Sequence, residues 1–150
     1  MAYFLDLYSP KTYATFAQAN HNVSGFPLRH ENAARKVQVG DKLICYLTKV
    51  SCWFGVLEIT SPYFIDATPR IAGDDPYVVR FTVKEIAWLP LERAVPIKDE
   101  EVWSNLSFTR NLPMDSGAWA WKVRSSLTRL DEQDGSFLED LILRQVVQQQ

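Results

Sequence analysis

Apolar and polar positions along this chain mark out short strands and shorter helices. Residues 2–8 are apolar and aromatic and read as a first strand, stopped by Ser9-Pro10. Ser9 suits an N-cap and Pro10 the first helical position, so a short helix is predicted over 10–19. Asn20 to Gly25 reads as a loop, and Pro27 opens a second helix to about Lys36. Val39-Gly40-Asp41 turns into an apolar strand at 42–48. Lys49 to Cys52 is a tight connection to a second strand, Trp53 to Thr60, and the two form a central hairpin. Residues 61–76, with Pro62, Pro69 and Pro76, read as a long loop. Tyr77 to Trp88 alternates as a strand, with Val79, Phe81 and Val83 on one face and Arg80, Thr82 and Lys84 on the other. Leu89-Pro90 ends it. Asp99 begins a short helix with acids in its first turn. Residues 107–130 are irregular. From Asp131 a last helix carries the apolar stripe Phe137, Leu138, Leu141, Ile142 and Val146. Interleaved strands and helices, with mostly hairpin connections, predict an α+β fold: a curved mixed sheet or small open barrel flanked by short helices.

The length of 150 residues suits one domain, and 47% apolar against 23% charged residues supplies a real core. No uninterrupted apolar run exceeds five residues, far short of a membrane span, and the start lacks the pattern of a secretory signal. Cys45 and Cys52 neither staple a secreted scaffold nor show metal-ligand spacing. The expectation is a cytoplasmic domain without a membrane partner. Net charge is −2, which argues against generic polyanion binding, but the charges are unevenly spread. Residues 28–49 and 110–130 each carry +3, while 58–101 and 131–150 each carry −4. Two positive segments on an acidic body suggest a localised phosphate-contacting face.

Much chemistry is excluded. The six glycines are never closer than 15 residues, so neither a dinucleotide-binding loop nor a P-loop exists. There is no GxSxG elbow, and Cys45 lies in an apolar run where a thiol is inert. His21 and His30 have no clustered carboxylates beside them, and no Asp or Glu stands two residues before a Lys, as in many metal-dependent nucleases. No catalytic residue, metal or cofactor is expected.

The aromatics, 13% of the chain, are the informative part. Phe4, Phe16, Trp88 and Phe137 lie in periodic segments and read as core. Tyr8, Trp53 and Tyr77 stand at strand ends, Phe26 beside Gly25 in a loop, and Trp103, Phe108, Trp119 and Trp121 in the irregular third. Loop-edge aromatics offer faces on which a planar ligand stacks. An aromatic pocket flanked by basic residues suits a protein that extrudes a base.

Ser24-Gly25-Phe26-Pro27-Leu28-Arg29, the hairpin Gly40 to Thr48 with Trp53 to Ile59, Asp75 to Phe81, and Leu106 to Arg110 together resemble, in order, the EVE-domain family of the PUA-like superfamily. Relatives of that family include the YTH, ASCH and SRA-type readers. The match spans roughly 3–130, leaving 131–150 as a C-terminal helix that would lead to a further domain in a longer chain. The resemblance implies a PUA-like pseudo-barrel whose pocket holds one modified base, 5-methyl- or 5-hydroxymethylcytosine in double-stranded DNA. Such readers serve prokaryotic modification-dependent restriction, with cleavage left to a nuclease domain or partner. By position, the pocket would draw on Phe26, Tyr46, Trp53 and Tyr77, with Trp103 and Phe108 from the irregular third. Ser9, Asp6 or Ser24 would hydrogen-bond the base, and Arg29, Arg35, Lys49, Arg110 and Arg124 would contact phosphates. Two other readings stay open: a YTH-like reader of modified RNA, and an ASCH-like enzyme on small substrates, for which Lys42 and Glu58 are the residues to inspect.

Overall fold

The computed structural model describes residues 1–16, 21–70 and 75–148. Strand β1 (Tyr3–Tyr8) leads into α1 (Pro10–Phe16). Ser9 and Thr12 cap this helix reciprocally: the Ser9 Oγ accepts from the Thr12 N–H at 3.1 Å, and the Thr12 Oγ1 accepts from the Ser9 N–H at 2.8 Å. The remainder of the helix expected over 10–19 lies outside the described residues. Where a loop was expected before Phe26, the chain forms β2 (Val23–Phe26), paired antiparallel to a later strand from Val23↔Thr82 to Phe26↔Val79. Its Ser and Gly gave the segment a loop's composition, and cross-strand pairing overrides it. The helix expected over 27–36 is shorter. A 3-10 turn (Leu28–His30) precedes the single turn α2 (Glu31–Ala34), and the Lys36 and Val37 N–H groups tighten its exit by bonding three residues back.

The central hairpin is β3 (Lys42–Leu47) and β4 (Cys52–Ile59). Gly40, at φ +97°, makes the turn into β3, and the buried Asp41 carboxylate accepts from the backbone N–H groups of Ala2 and Gln38, both at 2.8 Å. A short β5 (Phe64–Ile65) interrupts the loop before β6 (Val79–Trp88). After β7 (Val95–Pro96), Asp99 caps α3 (Glu100–Asn105), its carboxylate accepting from Glu101 N–H at 3.0 Å. The irregular stretch resolves into a 3-10 helix (Ala118–Val123) and β8 (Arg129–Leu130), and Glu132–Gln148 is α4.

Among the described residues the strands form one curled, half-barrel sheet in the order β2-β6-β4-β3-β1-β8, with β5 beside β6 and β7 beside β4. β1 runs parallel to β3 and the other pairings are antiparallel. The expectation of an α+β fold with a curved mixed sheet and short flanking helices is met. Strand alternation divides β1 between the two faces. Tyr3 turns toward α4, where its hydroxyl donates to Glu139 at 2.7 Å and Lys42 pairs with the same carboxylate. Gly135 allows this approach, because a Cβ there would run into the Tyr3 ring. Leu138, Leu141 and Ile142 bury the stripe read from the sequence. The other face of β1 carries Asp6 and Tyr8.

Candidate functional site

One row of side chains crosses the sheet beneath the site. Asp6 of β1 pairs with Cys45 of β3, Cys45 with Gly55 of β4, and Gly55 with Trp88 of β6. A carboxyl and an indole stand at the ends of this row, with a thiol and a glycine between them. The small central residues leave room on that face. Irregularities in the ladders re-aim the neighbouring rings. Register shifts between Cys45 and Tyr46 and between Val56 and Leu57. Phe54 then meets Tyr8, Tyr13 and Trp88 edge-on, with centroids 5.3, 5.0 and 5.0 Å away.

Asp6 and Trp88, the two ends of this row, line a cavity of about 300 Å³ together with Leu7, Tyr8, Thr12, Phe16, His21, Asn22, Val23, Ser24, Gly25, Leu57, Arg70 and Tyr77. β1 and α1 supply one wall, β2 the second, and the loop between β5 and β6 the third. Gly25 permits the second and third walls to meet, since a Cβ there would lie 2.8 Å from Tyr77 Cβ and would strike the Arg70 guanidinium. The loop is held by ion pairs rather than by apolar burial. The buried Asp75 carboxylate accepts from Arg70 Nε at 3.1 Å and Arg80 Nη2 at 3.2 Å, and Arg80 also pairs with Asp66 at 3.4 Å. Arg80 is therefore buried, 3% exposed, where strand alternation predicted an outward face. Burial raises the Asp75 pKa, but bonds from the Arg70 and Tyr77 backbone and the Arg70 guanidinium outweigh that and hold it below the ordinary carboxylate range.

The aromatic walls differ in how occupied they are. His21 stacks on Trp88 at 3.8 Å, its Nδ1 pairing with Glu85, while its buried Nε2 has no partner among the described residues. Phe16 lies under the Arg70 guanidinium at 4.9 Å. Tyr77 lines the cavity and stacks on no other ring among the described residues.

Asp6 is the chemical centre of the floor. It is 4% exposed, and Ser24 Oγ donates to its Oδ2 at 3.4 Å. Burial pushes its pKa up to about 7, although hydrogen bonds from Ser24 and Tyr8 and the charge of Arg70 pull the other way. The Tyr8 phenol is raised by burial and then by Asp6. Between the ordinary carboxylate range and pH 7 the folded chain keeps a proton that the unfolded chain has released, so this group's contribution to stability falls as pH rises through that window. Asp6→Asn, which cannot ionise, is expected to gain stability relative to the parent by about 2–3 kcal/mol more at pH 8 than at pH 5. Urea unfolding at the two pH values measures this, and an unchanged difference would refute it.

Of the residues expected to shape a pocket, Ser24 and Tyr77 line the cavity and Asp6 joins them. The others are elsewhere. Phe26, Tyr46, Trp53 and Trp103 are buried in the core, their apolar surface drawn inward by strand pairing and packing rather than left at a rim. Trp103 anchors the irregular segment, its Nε1 donating to the Leu112 carbonyl at 2.8 Å. Phe108 packs against the same core, and Ser9 is spent on capping α1. Conversely Phe16 and Trp88, read as core, stand in the cavity wall. Arg70, Thr12 and Asn22 were not singled out, and His21 was weighed only as a metal ligand. A carboxylate inside an apolar strand and a tryptophan two residues before Pro90 were the available signals. Arg29, Arg35, Lys49, Arg110 and Arg124 are exposed and outside the lining. Arg35 is engaged by Asn32 at 2.7 Å, and Lys49 occupies the hairpin turn at φ 71°. Lys42 and Glu58 lie outside the cavity too, Lys42 being tied to Glu139. Trp121, 62% exposed, has Lys122 over its ring at 5.7 Å. The segment that follows it borders the site, because Leu7 N–H donates to Ser126 Oγ at 3.0 Å.

This curled sheet with its flanking helices is a PUA-like fold of the kind found in YTH domains. The structure is similar to that of the YTH domain-containing protein mmi1 in complex with RNA, with a TM-score of 0.68 at 13% identity over 99% of this chain and 85% of that one. It is also similar to the YTH domain of Zygosaccharomyces rouxii MRB1 in complex with N6-methyladenosine RNA. There the TM-score is 0.62 at 15% identity, over 94% of this chain and 86% of the other. In sequence, a UPF0310 protein of Pyrococcus abyssi is 27% identical over 132 residues, covering 81% of this chain and 87% of the relative. No family model matches the chain. No helix among the described residues is long and apolar enough to cross a membrane.

Proposed function

We propose that this chain is a reader of a modified nucleobase, which it holds, extruded from its strand, in the cavity between Asp6, Tyr77 and Trp88. The cavity itself carries the reading. At about 300 Å³ it is at the small end for ligand sites and combines aromatic rings with polar side chains in its lining. That is the layout a single heterocycle requires. In the first form of the reading the base is 5-methyl- or 5-hydroxymethylcytosine in duplex DNA, as in the EVE-type readers the sequence resembles. The chain then acts in the cytoplasm as the specificity module of a modification-dependent defence system. Cleavage falls to a nuclease, in a further domain or a separate protein, and the module itself comprises residues 1–130 with α4 packed behind.

A second reading, modified RNA, is favoured by the RNA in the two similar YTH structures. A single strand spares the cost of breaking a base pair, a few kcal/mol. Competition between duplex DNA carrying 5-methylcytosine and single-stranded RNA carrying N6-methyladenosine, each against its unmodified form, separates the two. Binding that ignores modification in both would overturn the reader reading.

Phosphate contacts on this reading come from the exposed basic residues. Arg29→Ala, Arg35→Ala and Arg110→Ala are each expected to weaken modified and unmodified strands alike and to make binding less steeply salt-dependent, by about one unit in the log–log slope. Titrations at several salt concentrations measure it; a loss confined to the modified strand would place that arginine at the base.

A further inference from the structure

Resting on the reader reading, we propose that the cavity selects a base with an unsubstituted exocyclic amine: one amine hydrogen and the adjacent ring nitrogen pair with the Asp6 carboxyl, and the second amine hydrogen goes to His21 Nε2. Two independent features of the wall point there. The first is the imbalance around Asp6. Arg70 is the cation of the wall, but its Nε is given to Asp75 at 3.1 Å and its Nη1 to the Val23 carbonyl at 3.2 Å. Asp6 is left with hydroxyl company, Ser24 and Tyr8, and among the described residues it makes no ion pair, the Arg70 charge acting on it only from a distance. A carboxyl buried in this way keeps its proton near neutrality. It then offers a donor and an acceptor side by side, the pattern that matches a ring nitrogen next to an amine.

The second feature is His21. Its Nδ1 faces the Glu85 carboxylate, which only accepts, so in the neutral ring the proton sits on Nδ1 and Nε2 presents a lone pair. That nitrogen is buried and unpartnered among the described residues, on a side chain in the cavity wall. A buried acceptor left unmade is costly, and a ligand N–H satisfies it. An exocyclic amine has two hydrogens, one for each of these acceptors. A keto oxygen has none, and a methylated amine has one.

The chemistry also sets a pH dependence. The groups around Asp6 are Tyr8 on its own strand, Cys45 on β3, Arg70 and Tyr77 from the loop, and His21 with Glu85 across the cavity. Above pH 7 Asp6 loses its proton, and the carboxylate meets the ring nitrogen lone pair to lone pair.

The test uses the whole chain and single DNA strands in which one central position carries a base and all others are abasic. Cytosine and 5-methylcytosine are expected to bind at least tenfold tighter than thymine and N4-methylcytosine. For 5-methylcytosine, affinity should fall about tenfold per pH unit above 7 until the carboxylate form's own binding takes over. Asp6→Asn, whose amide also donates and accepts side by side, should keep the amine preference and lose the pH dependence. Discrimination below tenfold overturns the inference while leaving a base-binding cavity in place. Loss of the amine preference in Asp6→Asn, or pH dependence that persists in it, removes Asp6 from the role and overturns the inference too. If no base-bearing strand binds better than a fully abasic one, the reader reading fails and takes the inference with it.

Discussion

Trp53→Ala is expected to lower folding stability by about 3–5 kcal/mol, the cost of emptying a large aromatic site in a packed core. Trp53 is 0% exposed, tilted against Tyr46 at 4.7 Å and paired across the ladders with Tyr46 and Val95. The family resemblance implied a pocket role for it; in the structure it is buried between β3 and β7. Trp53→Phe should cost much less, because it keeps most of the ring and removes an indole N–H that has no partner among the described residues. Urea midpoints for the three proteins measure both effects. An alanine variant as stable as the parent but unable to bind nucleic acid would return Trp53 to a binding role.

Tyr77→Ala should act in the opposite way. Its ring is the cavity face that no other described aromatic covers, so a stacked base loses about 1–3 kcal/mol, roughly 5–150-fold in affinity. The fold should barely notice, by less than about 1 kcal/mol, since the side chain is only half-buried and the structural work of this residue is done by its backbone. Its N–H donates to Asp75 at 3.0 Å and its carbonyl accepts from Arg80 at 3.0 Å, bonds that alanine retains. Anisotropy titration beside thermal melting separates the two quantities. Normal affinity in a normally folded Tyr77→Ala would remove stacking on this ring from the account.

The contrast between these two tyrosine- and tryptophan-bearing strand ends shows where sequence reading reaches its limit. The hairpin β3–β4, the capped α1, the short helix beginning near Asp99 and the apolar stripe of α4 were legible, because each depends on neighbours a few residues away. β2 was not, because Val23 to Phe26 becomes a strand only through pairing with β6. Of the aromatics read at strand ends or in loops, Tyr8 and Tyr77 line the cavity, whereas Phe26 and Trp53 are buried in the core. Which rings turn inward depends on the irregular register of β4 against both its neighbours. A shift of one residue exchanges faces, and single-sequence periodicity does not carry that shift. The Arg70–Asp75–Arg80 ion pairs were equally hidden, since nothing in a proline-rich loop announces that its charges will be buried together.

The parallel pairing of β1 with β3 governs the order of assembly. A hairpin such as β3–β4 closes a short loop, whereas β1 must wait for a crossover through α1, β2 and α2, and its other edge for residues 129–130. Three residues of the cavity lining, Asp6, Leu7 and Tyr8, ride on the strand whose contacts are longest in sequence, so the cavity is completed late on the folding pathway. Leu5→Ala, at a fully buried position on that strand, should therefore speed unfolding while leaving the refolding rate nearly unchanged. Stopped-flow chevrons would read this directly, and a slowed refolding limb would place β1 in the nucleus instead. A nascent chain in which the hairpin has already formed would then hold Cys45 against Gly55 before Asp6 is in place beside them.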